Sequence, residues 1–204
     1  MHIVCCDMEG VFTPEIWIHV AEKTGIEELR LTTRDISDYD VLMKRRLKIL
    51  EENRLTLADI QAVIAKLEPL EGALPFLEWL RSRTQVVIVS DTFNQFAGPL
   101  MEKLGWPALL CNTLEVDPEG RVTGYRLRQA DGKRMVVLAF KSLYYRIAAV
   151  GDSYNDISML QEADEGILFK PPDPVREQYP ELPVTYTYGE LREVIGPLLT
   201  GTYH

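Results

Sequence analysis

Five short apolar runs punctuate the chain: Ile3 to Cys6, Val86 to Val89, Ala108 to Cys111, Ile147 to Val150 and Ile167 to Phe169. None alternates apolar with polar residues, and most are separated by ten or more residues with helical spacing. Unalternated runs of this length suit strands buried on both faces of a parallel sheet. Asp117 to Gly120, between Thr113 to Val116 and Val122 to Leu127, reads as the turn of a hairpin beside that sheet. Thr13-Pro14 reads as a helix N-cap followed by proline at the first helical position, opening a helix that reaches Lys23 and stops at Gly25. Thr56 with Asp59 resembles an acidic capping box, and Pro69 closes the helix that follows. The pattern therefore predicts a three-layer α/β core from residues 1–13 and 71–204, interrupted at 14–70 by a helical insertion without strands, a candidate lid.

Composition narrows the function classes. A chain of 204 residues with 46% hydrophobic and 26% charged residues can bury one substantial core. No apolar run is long enough for a membrane span and no leader pattern opens the chain, so a soluble, cytoplasmic protein without a membrane partner is expected. A net charge of −9 argues against a general grip on nucleic acid, which needs excess Lys and Arg. A small anionic substrate remains compatible if positive charge is supplied locally. Cys5, Cys6 and Cys111 have no metal-ligand spacing and read as free thiols.

The chemistry is carried by the way the strands end. The first runs into Asp7-Met8-Glu9-Gly10, the second into Ser90-Asp91-Thr92, and the fourth into Gly151-Asp152-Ser153-Tyr154-Asn155-Asp156. In a parallel sheet the carboxyl ends of strands share one rim, so these groups should converge. Two like charges about 4 Å apart repel by roughly 4 kcal/mol at an effective dielectric near 20, so a cation must sit among them. Oxygen ligands without His or Cys favour Mg²⁺, which commonly bridges carboxylates to a substrate phosphate. Each Asp taken singly could be a turn or N-cap residue, but three such endings together point to phosphoryl chemistry.

A further charge lies out of pattern. On the helix from about Asp40 to Glu52, Leu42, Met43, Ile49 and Leu50 form an apolar arc, and Arg46 falls inside it. It either snorkels to the helix edge or points into a covered pocket to clamp a carboxylate. Lys44 and Arg45 read as solvated, His2, His19 and His204 as scattered non-ligands, and the tryptophans as packing residues.

Asp7-Met8-Glu9-Gly10-Val11, Ser90, a lysine near 133 and Gly151 to Asp156 resemble, in order, the four motifs of the haloacid dehalogenase superfamily. Within it the chain is similar to phosphoserine phosphatases, most of all to the bifunctional kind that also acts as a phosphoserine:homoserine phosphotransferase. The resemblance implies a Rossmannoid core with a small helical cap at 14–70. It makes Asp7 the nucleophile and Glu9, where Asp is usual, the acid and base. It makes the Asp7 carboxylate, the Glu9 main-chain carbonyl and Asp152 ligands of Mg²⁺. Ser90, Asp91, Lys133 and Asn155 would contact the phosphorylated substrate, with N–H groups of Asp91 and Thr92 as added donors, and Asp156 would support the loop. Arg46 and Glu15 would receive the carboxylate and ammonium of phosphoserine.

Lys133, Arg134 and Lys141 all lie in the right stretch; Lys133, after the Asp131-Gly132 turn, is the choice, and the other two read as solvent-exposed. Asn155 and Asp156 could instead merely cap the next helix. Either water or homoserine could accept the phosphate, and the association state is open, a homodimer included. Two alternatives remain: a phosphatase for another small phosphomonoester, and a receiver-type switch that keeps its phospho-aspartate.

Overall fold

Strand β1 (His2–Cys6) lies inside a sheet that also contains β2 (Gln85–Phe93), β3 (Ala108–Val116), β4 (Val122–Arg126), β5 (Arg146–Gly151), β6 (Glu165–Phe169) and β7 (Val184–Thr185). The strand order is β4-β3-β2-β1-β5-β6-β7. Only the β3–β4 pairing is antiparallel. The computed structural model describes residues 1–33, 35–36 and 38–200, so His204 lies outside the described residues. The helices are α1 (Ile16–Thr24), α2 (Tyr39–Glu52), α3 (Leu57–Ile64), α4 (Ala73–Arg81), α5 (Asn94–Lys103), α6 (Gly132–Ser142), α7 (Ile157–Glu162), α8 (Asp173–Gln178) and α9 (Tyr188–Thr200).

Successive side chains on a strand point to opposite faces. Val4 and Cys6 accordingly pack into one apolar layer with residues of α1 to α5 and α9, while Ile3 and Cys5 pack into a second with α6, α7 and α8. That is the expected three-layer α/β arrangement. Between 14 and 70 the described residues form α1, a 3-10 turn at Glu27–Arg30, α2 and α3, without a strand. Thr56 and Asp59 do form a reciprocal capping box at the start of α3. The three cysteines are free and buried, and no described helix is long and apolar enough to cross a membrane.

Several boundaries differ from the pattern-based expectation. Helix α1 begins at Ile16, with Glu15 at its N-cap position, and not at Thr13-Pro14. Thr13 is occupied elsewhere: its N–H and hydroxyl both donate to the Met8 carbonyl, at 3.0 and 3.2 Å, closing the turn after β1. The runs at 108–111 and 113–116 are one strand, β3, which pairs in parallel with β2 at one end and antiparallel with β4 at the other. Strand β2 likewise continues past Val89 to Phe93, because pairing with β3 is interrupted by a register shift and then resumes at Phe93 opposite Asn112. Ser90, Asp91 and Thr92 occupy that irregular stretch, where a shift of register re-aims side chains.

The β6–α7 packing is tight enough to test. A methyl group at Gly166 would meet the main-chain carbonyl of Leu160, which cannot move aside as a side chain tip can. Gly166→Ala is expected to destabilise the fold by about 1 to 3 kcal/mol, measured by denaturant unfolding. Wild-type stability in that variant would contradict the packing.

Candidate active site

The sheet order puts the site at a topological switch point. From β1 the chain crosses to β2 and β3 on one side and returns through β5 and β6 on the other, which leaves a crevice at the carboxyl end of β1. Asp7 is the first residue beyond β1. Its N–H donates to the Val150 carbonyl at 2.9 Å, carrying the β1–β5 pairing one step further. Its Oδ1 accepts from the Met8 N–H at 2.7 Å, and its Oδ2 lies 3.0 Å from Lys133 Nζ. Asp152 is the first residue beyond β5. One carboxylate oxygen from each of Asp7, Asp152 and Asp156 lies within 4.8 Å of the others, and all three residues are buried. Gly10 makes room for this cluster: its φ is +79°, and a Cβ there would stand 2.6 Å from Asp152 Cγ.

Of the three cations considered from sequence, Lys133 is the one inside the cluster. It is 4% exposed, extends from the first turn of α6, and contacts Asp156 Oδ1 at 2.6 Å as well as Asp7. Arg134 pairs instead with Glu162, and Lys141 Nζ donates to the Glu162 carbonyl. Burial opposes charge on Lys133, but Asp156, Asp7 and Asp91 outweigh it and hold its pKa well above the ordinary lysine value. Asp156 uses both oxygens, Oδ1 toward Lys133 and Oδ2 to accept from the N–H groups of Asp152 and Ser153 at 2.9 and 3.1 Å. The helix-capping alternative for Asp156 is therefore also realised, since it completes a capping box with Ser153. Capping shapes the loop and the same carboxylate aims the lysine.

The irregular part of β2 forms the next wall. Ser90 Oγ accepts from the Thr92 N–H at 3.2 Å, which leaves the hydroxyl proton to be donated elsewhere. The Thr92 N–H expected to face a ligand thus supports Ser90. Asp91 Oδ2 accepts from Asn155 Nδ2 at 2.8 Å and lies 3.8 Å from Lys133 Nζ. Asn155 Oδ1 in turn accepts from the Ser153 hydroxyl at 2.6 Å.

Glu9 sits on the opposite wall, at the start of α1. Its Oε2 accepts from the Ile16 N–H at 2.8 Å, so it satisfies a helix-terminal donor from outside the helix. Burial, with Glu15 adding to it, pushes its carboxyl up to about 8 against the pull of the Ile16 N–H, Arg46 and Lys133. Arg46 is 6% exposed, whereas Lys44 and Arg45 beside it are exposed. Its guanidinium stacks over Trp17 at 4.6 Å and donates to the Leu31 carbonyl at 2.9 Å, while its buried Nε has no hydrogen-bond partner. Glu9, Glu15, Arg46, Ser90, Asp7 and Asp152 line one cleft of about 60 Å³.

Tyr39 and Asn112 also reach this region, with Tyr125 packed against the Tyr39 ring, and the sequence pattern singles out none of the three. Tyr39 lines the cleft, and its hydroxyl donates to the Asp91 carbonyl at 2.9 Å. A signal for it existed: Tyr39 precedes Arg46 by seven positions, so the two share a helix face to within about 20°. Asn112 and Tyr125 act through strand pairing that no local pattern reveals.

A model of the haloacid dehalogenase-like hydrolase family matches residues 3–164, and the chain belongs to that family. It is 63% identical over 193 residues to a phosphoserine phosphatase of Pseudomonas syringae pv. tomato, covering 95% of this chain and 81% of that one. It is 61% identical over 192 residues to the phosphoserine phosphatase ThrH of Pseudomonas aeruginosa, covering 94% of each. Among solved structures, a phosphoserine phosphatase in apo form superposes with a TM-score of 0.76 at 23% identity, over 96% of this chain and 98% of that one, which establishes the common fold. Membership in a hydrolase family favours an enzyme over a phospho-accepting switch.

The crowding of carboxylates predicts a pH signature of stability. Burial, then Asp156, Asp152 and Asp91, hold the Asp7 carboxyl well above its ordinary value against the pull of Lys133. Glu9 keeps its proton to about 8 in the folded chain, against 4.5 for an ordinary glutamate. The native state thus binds a proton that the unfolded chain has released, a stabilisation complete below 4.5 and lost as pH rises through about 8. In EDTA, wild-type Tm should fall relative to Glu9→Gln across that window. A divalent cation should raise Tm most at its upper end. A difference between the two proteins that stays constant with pH would contradict this account.

Proposed function

We propose that the chain is a Mg²⁺-dependent phosphoserine phosphatase that passes phosphate through an aspartyl-phosphate on Asp7 and delivers it to water or to homoserine. The observation that carries this reading is the placement of two carboxyls in one cleft, the buried Asp7 inside the acidic cluster and the half-buried Glu9 outside it. Asp7 lies against Lys133 and two further carboxylates, while Glu9 lies apart and retains its proton to about 8. A carboxyl placed against a cation, with a second carboxyl in the same cleft but outside the cluster, is the arrangement that a nucleophile with a separate acid and base needs.

Three carboxylates and one ammonium leave a local excess of two negative charges when all are ionised, and their donor set is all oxygen. That set fits Mg²⁺: the Asp7 and Asp152 carboxylates, with the Glu9 main-chain carbonyl, would hold it, while Asp156 is committed to Lys133 and the loop N–H groups. Bound there, the ion supplies positive charge that keeps Asp7 ionised and offsets charge on the phosphoryl group.

The chain's own residues account for the rest. An Asp7 carboxylate oxygen attacks phosphorus as the bond from phosphorus to the serine oxygen breaks, and Glu9 gives its proton to that oxygen. Lys133, Ser90 and Asn155 hold the phosphoryl oxygens. In the second half Glu9 takes the proton of the incoming hydroxyl, whose oxygen bonds phosphorus as the bond to Asp7 breaks. Arg46, whose buried Nε has no partner, meets the substrate carboxylate, and Glu15 meets its ammonium group. The names of the two Pseudomonas relatives support phosphoserine as the substrate.

Incubation with Mg²⁺ and phosphoserine, with and without homoserine, should yield serine with phosphate in the first case and phosphohomoserine as well in the second. No serine release, with turnover of sugar or nucleotide phosphates, would replace phosphoserine by another phosphomonoester. Asp7→Asn is expected to abolish both reactions while its circular dichroism matches wild type; retained turnover would refute the nucleophile assignment. Arg46→Ala should lower kcat/KM for phosphoserine roughly 10- to 100-fold, the worth of a charge-assisted hydrogen bond. Its loss on phosphoethanolamine, which lacks the carboxylate, should be smaller, and equal losses on both would remove Arg46 from substrate recognition.

A further inference from the structure

Tyr39 stands in the first turn of α2 and reaches from the helical segment to the sheet. Its hydroxyl donates to the main-chain carbonyl of Asp91, between Ser90 and Thr92 in the irregular part of β2. The contact joins residues 52 apart in sequence and ends on the wall of the cleft. Asn112 Nδ2 donates to the same carbonyl at 3.3 Å from β3, so Asp91 is held from the sheet side and from the helical side at once.

Other contacts fix α2 and α3 to the β3–β4 hairpin without touching Asp91. The Tyr39 ring meets Tyr125 edge-on, with centroids 5.9 Å apart and planes at 81°. The Tyr125 hydroxyl donates to Asp40 Oδ1 at 2.5 Å. The Leu57 N–H donates to the Gly120 carbonyl at 2.9 Å, and Thr56 bridges to Arg121. These bonds anchor the helices at the edge of the sheet. The Tyr39–Asp91 bond differs from them in ending beside the phosphate-side residues.

Its position also divides two spaces. On one side is the cleft with Glu9, Arg46 and Asp7; on the other is a cavity of about 180 Å³ bordered by Asn112, Arg128, Gln129 and Lys133. Tyr39, Thr33, Ser90, Asp91 and Asn155 border both. Arg128 and Gln129 are exposed, so the second cavity meets solvent. The Tyr39–Asp91 bond joins the helical and sheet sides of the wall that the two spaces share, so its opening would give water from that cavity a route into the cleft. Burial, with Asp91 adding to it, raises the Tyr39 phenol, so the group stays a donor at any ordinary pH.

We propose that Tyr39 is a specificity-determining positioning residue, whose hydroxyl bond to Asp91 seals the cleft from the solvent-filled side cavity and so sets how the phosphoryl group on Asp7 divides between water and an alcohol acceptor. This rests on the aspartyl-phosphate reading given above. A phospho-aspartate waiting for an alcohol is exposed to water throughout, and the transfer yield depends on how seldom water reaches phosphorus in line. Removing the phenolic oxygen keeps the ring on Tyr125, the other anchors at the sheet edge and Asn112 on Asp91, and takes away the hydrogen bond by which α2 reaches the Asp91 carbonyl.

The test compares Tyr39→Phe and Tyr125→Phe with wild type, using Mg²⁺, phosphoserine and a fixed concentration of homoserine, and reads serine, phosphate and phosphohomoserine. In Tyr39→Phe the ratio of phosphohomoserine to phosphate should fall roughly two- to tenfold, the range spanned by one neutral hydrogen bond. Tyr125→Phe, which loosens the same helix end without touching Asp91, should keep the wild-type ratio. An unchanged ratio in Tyr39→Phe, or an equal fall in both variants, overturns the assignment. Amide hydrogen exchange of the substrate-free chain provides a readout independent of turnover: residues 39–52 should exchange faster in Tyr39→Phe, and wild-type rates there also overturn the seal. If wild type releases no serine at all, the proposed function fails first and the partition role fails with it. Faster exchange in the variant would then identify a closure that serves a different reaction.

Discussion

The structure depends on holding more negative charge than it can balance at the carboxyl ends of β1, β2 and β5. Asp7, Asp152 and Asp156 are buried together, with Lys133 as the cation among them. Such a cluster is costly to bury and survives because its members are bonded in fixed directions: Asp156 by two loop N–H groups, Asp7 by the Met8 N–H, and Lys133 by both carboxylates. The surrounding sequence serves that end. Gly10 passes close enough to Asp152 that a side chain would collide, and Gly151 leaves space where a Cβ would meet Asp156. Chain geometry and charge are thus specified together, and the residual negative charge is what makes the site receptive to a divalent cation.

How much of this was legible follows from where each residue's signal lies. Asp7 and Asp152 follow short unalternated apolar runs, and the parallel-sheet rule carries both to one rim without any knowledge of distances. Arg46 was legible because a charge interrupts an apolar arc, and it is indeed buried where Lys44 and Arg45 are not. Local patterns failed where tertiary contact overrides them. Thr13 looked like a helix cap but is bonded back to Met8, and the donor it would have satisfied near the start of α1 is taken by Glu9. Ser90 to Thr92 looked like the end of a strand, yet β2 runs on to Phe93 through a shift in its pairing with β3, and those three residues line the cleft. Short or late elements such as α8 and β7 carry too few residues for periodicity to register.

The helical segment at 14–70 contributes a different kind of specificity from that of the sheet. The sheet side is charge balance around a cation, whereas the helical side meets the cleft with a guanidinium stacked on Trp17 and with the Ile16 N–H on which Glu9 is anchored. Arg46 keeps its charge in spite of burial, which lowers its pKa only to about 10. Its hydrogen bond to the Leu31 carbonyl ties α2 to the end of the 3-10 turn and presents the guanidinium in one orientation. A planar donor fixed in this way discriminates by shape, which in the proposed function suits it to a carboxylate at a set distance from the phosphorus.

Tyr39 and Arg46 lie on one face of α2, and this placement links recognition to closure. In the proposed function, a substrate carboxylate held by Arg46 in the cleft would bind the same helix face that brings the Tyr39 hydroxyl to Asp91. Asp91 in turn accepts from Asn155 and faces Lys133, so the position of α2 is transmitted to the phosphate-side residues through one backbone carbonyl and one carboxylate. A ligand shifts such an equilibrium only by its differential affinity for the closed arrangement. A carboxylate bound by Arg46 in that proposed function would therefore supply free energy for closure, and a phosphate ester lacking it would occupy a cleft that closes less often around the same reacting groups.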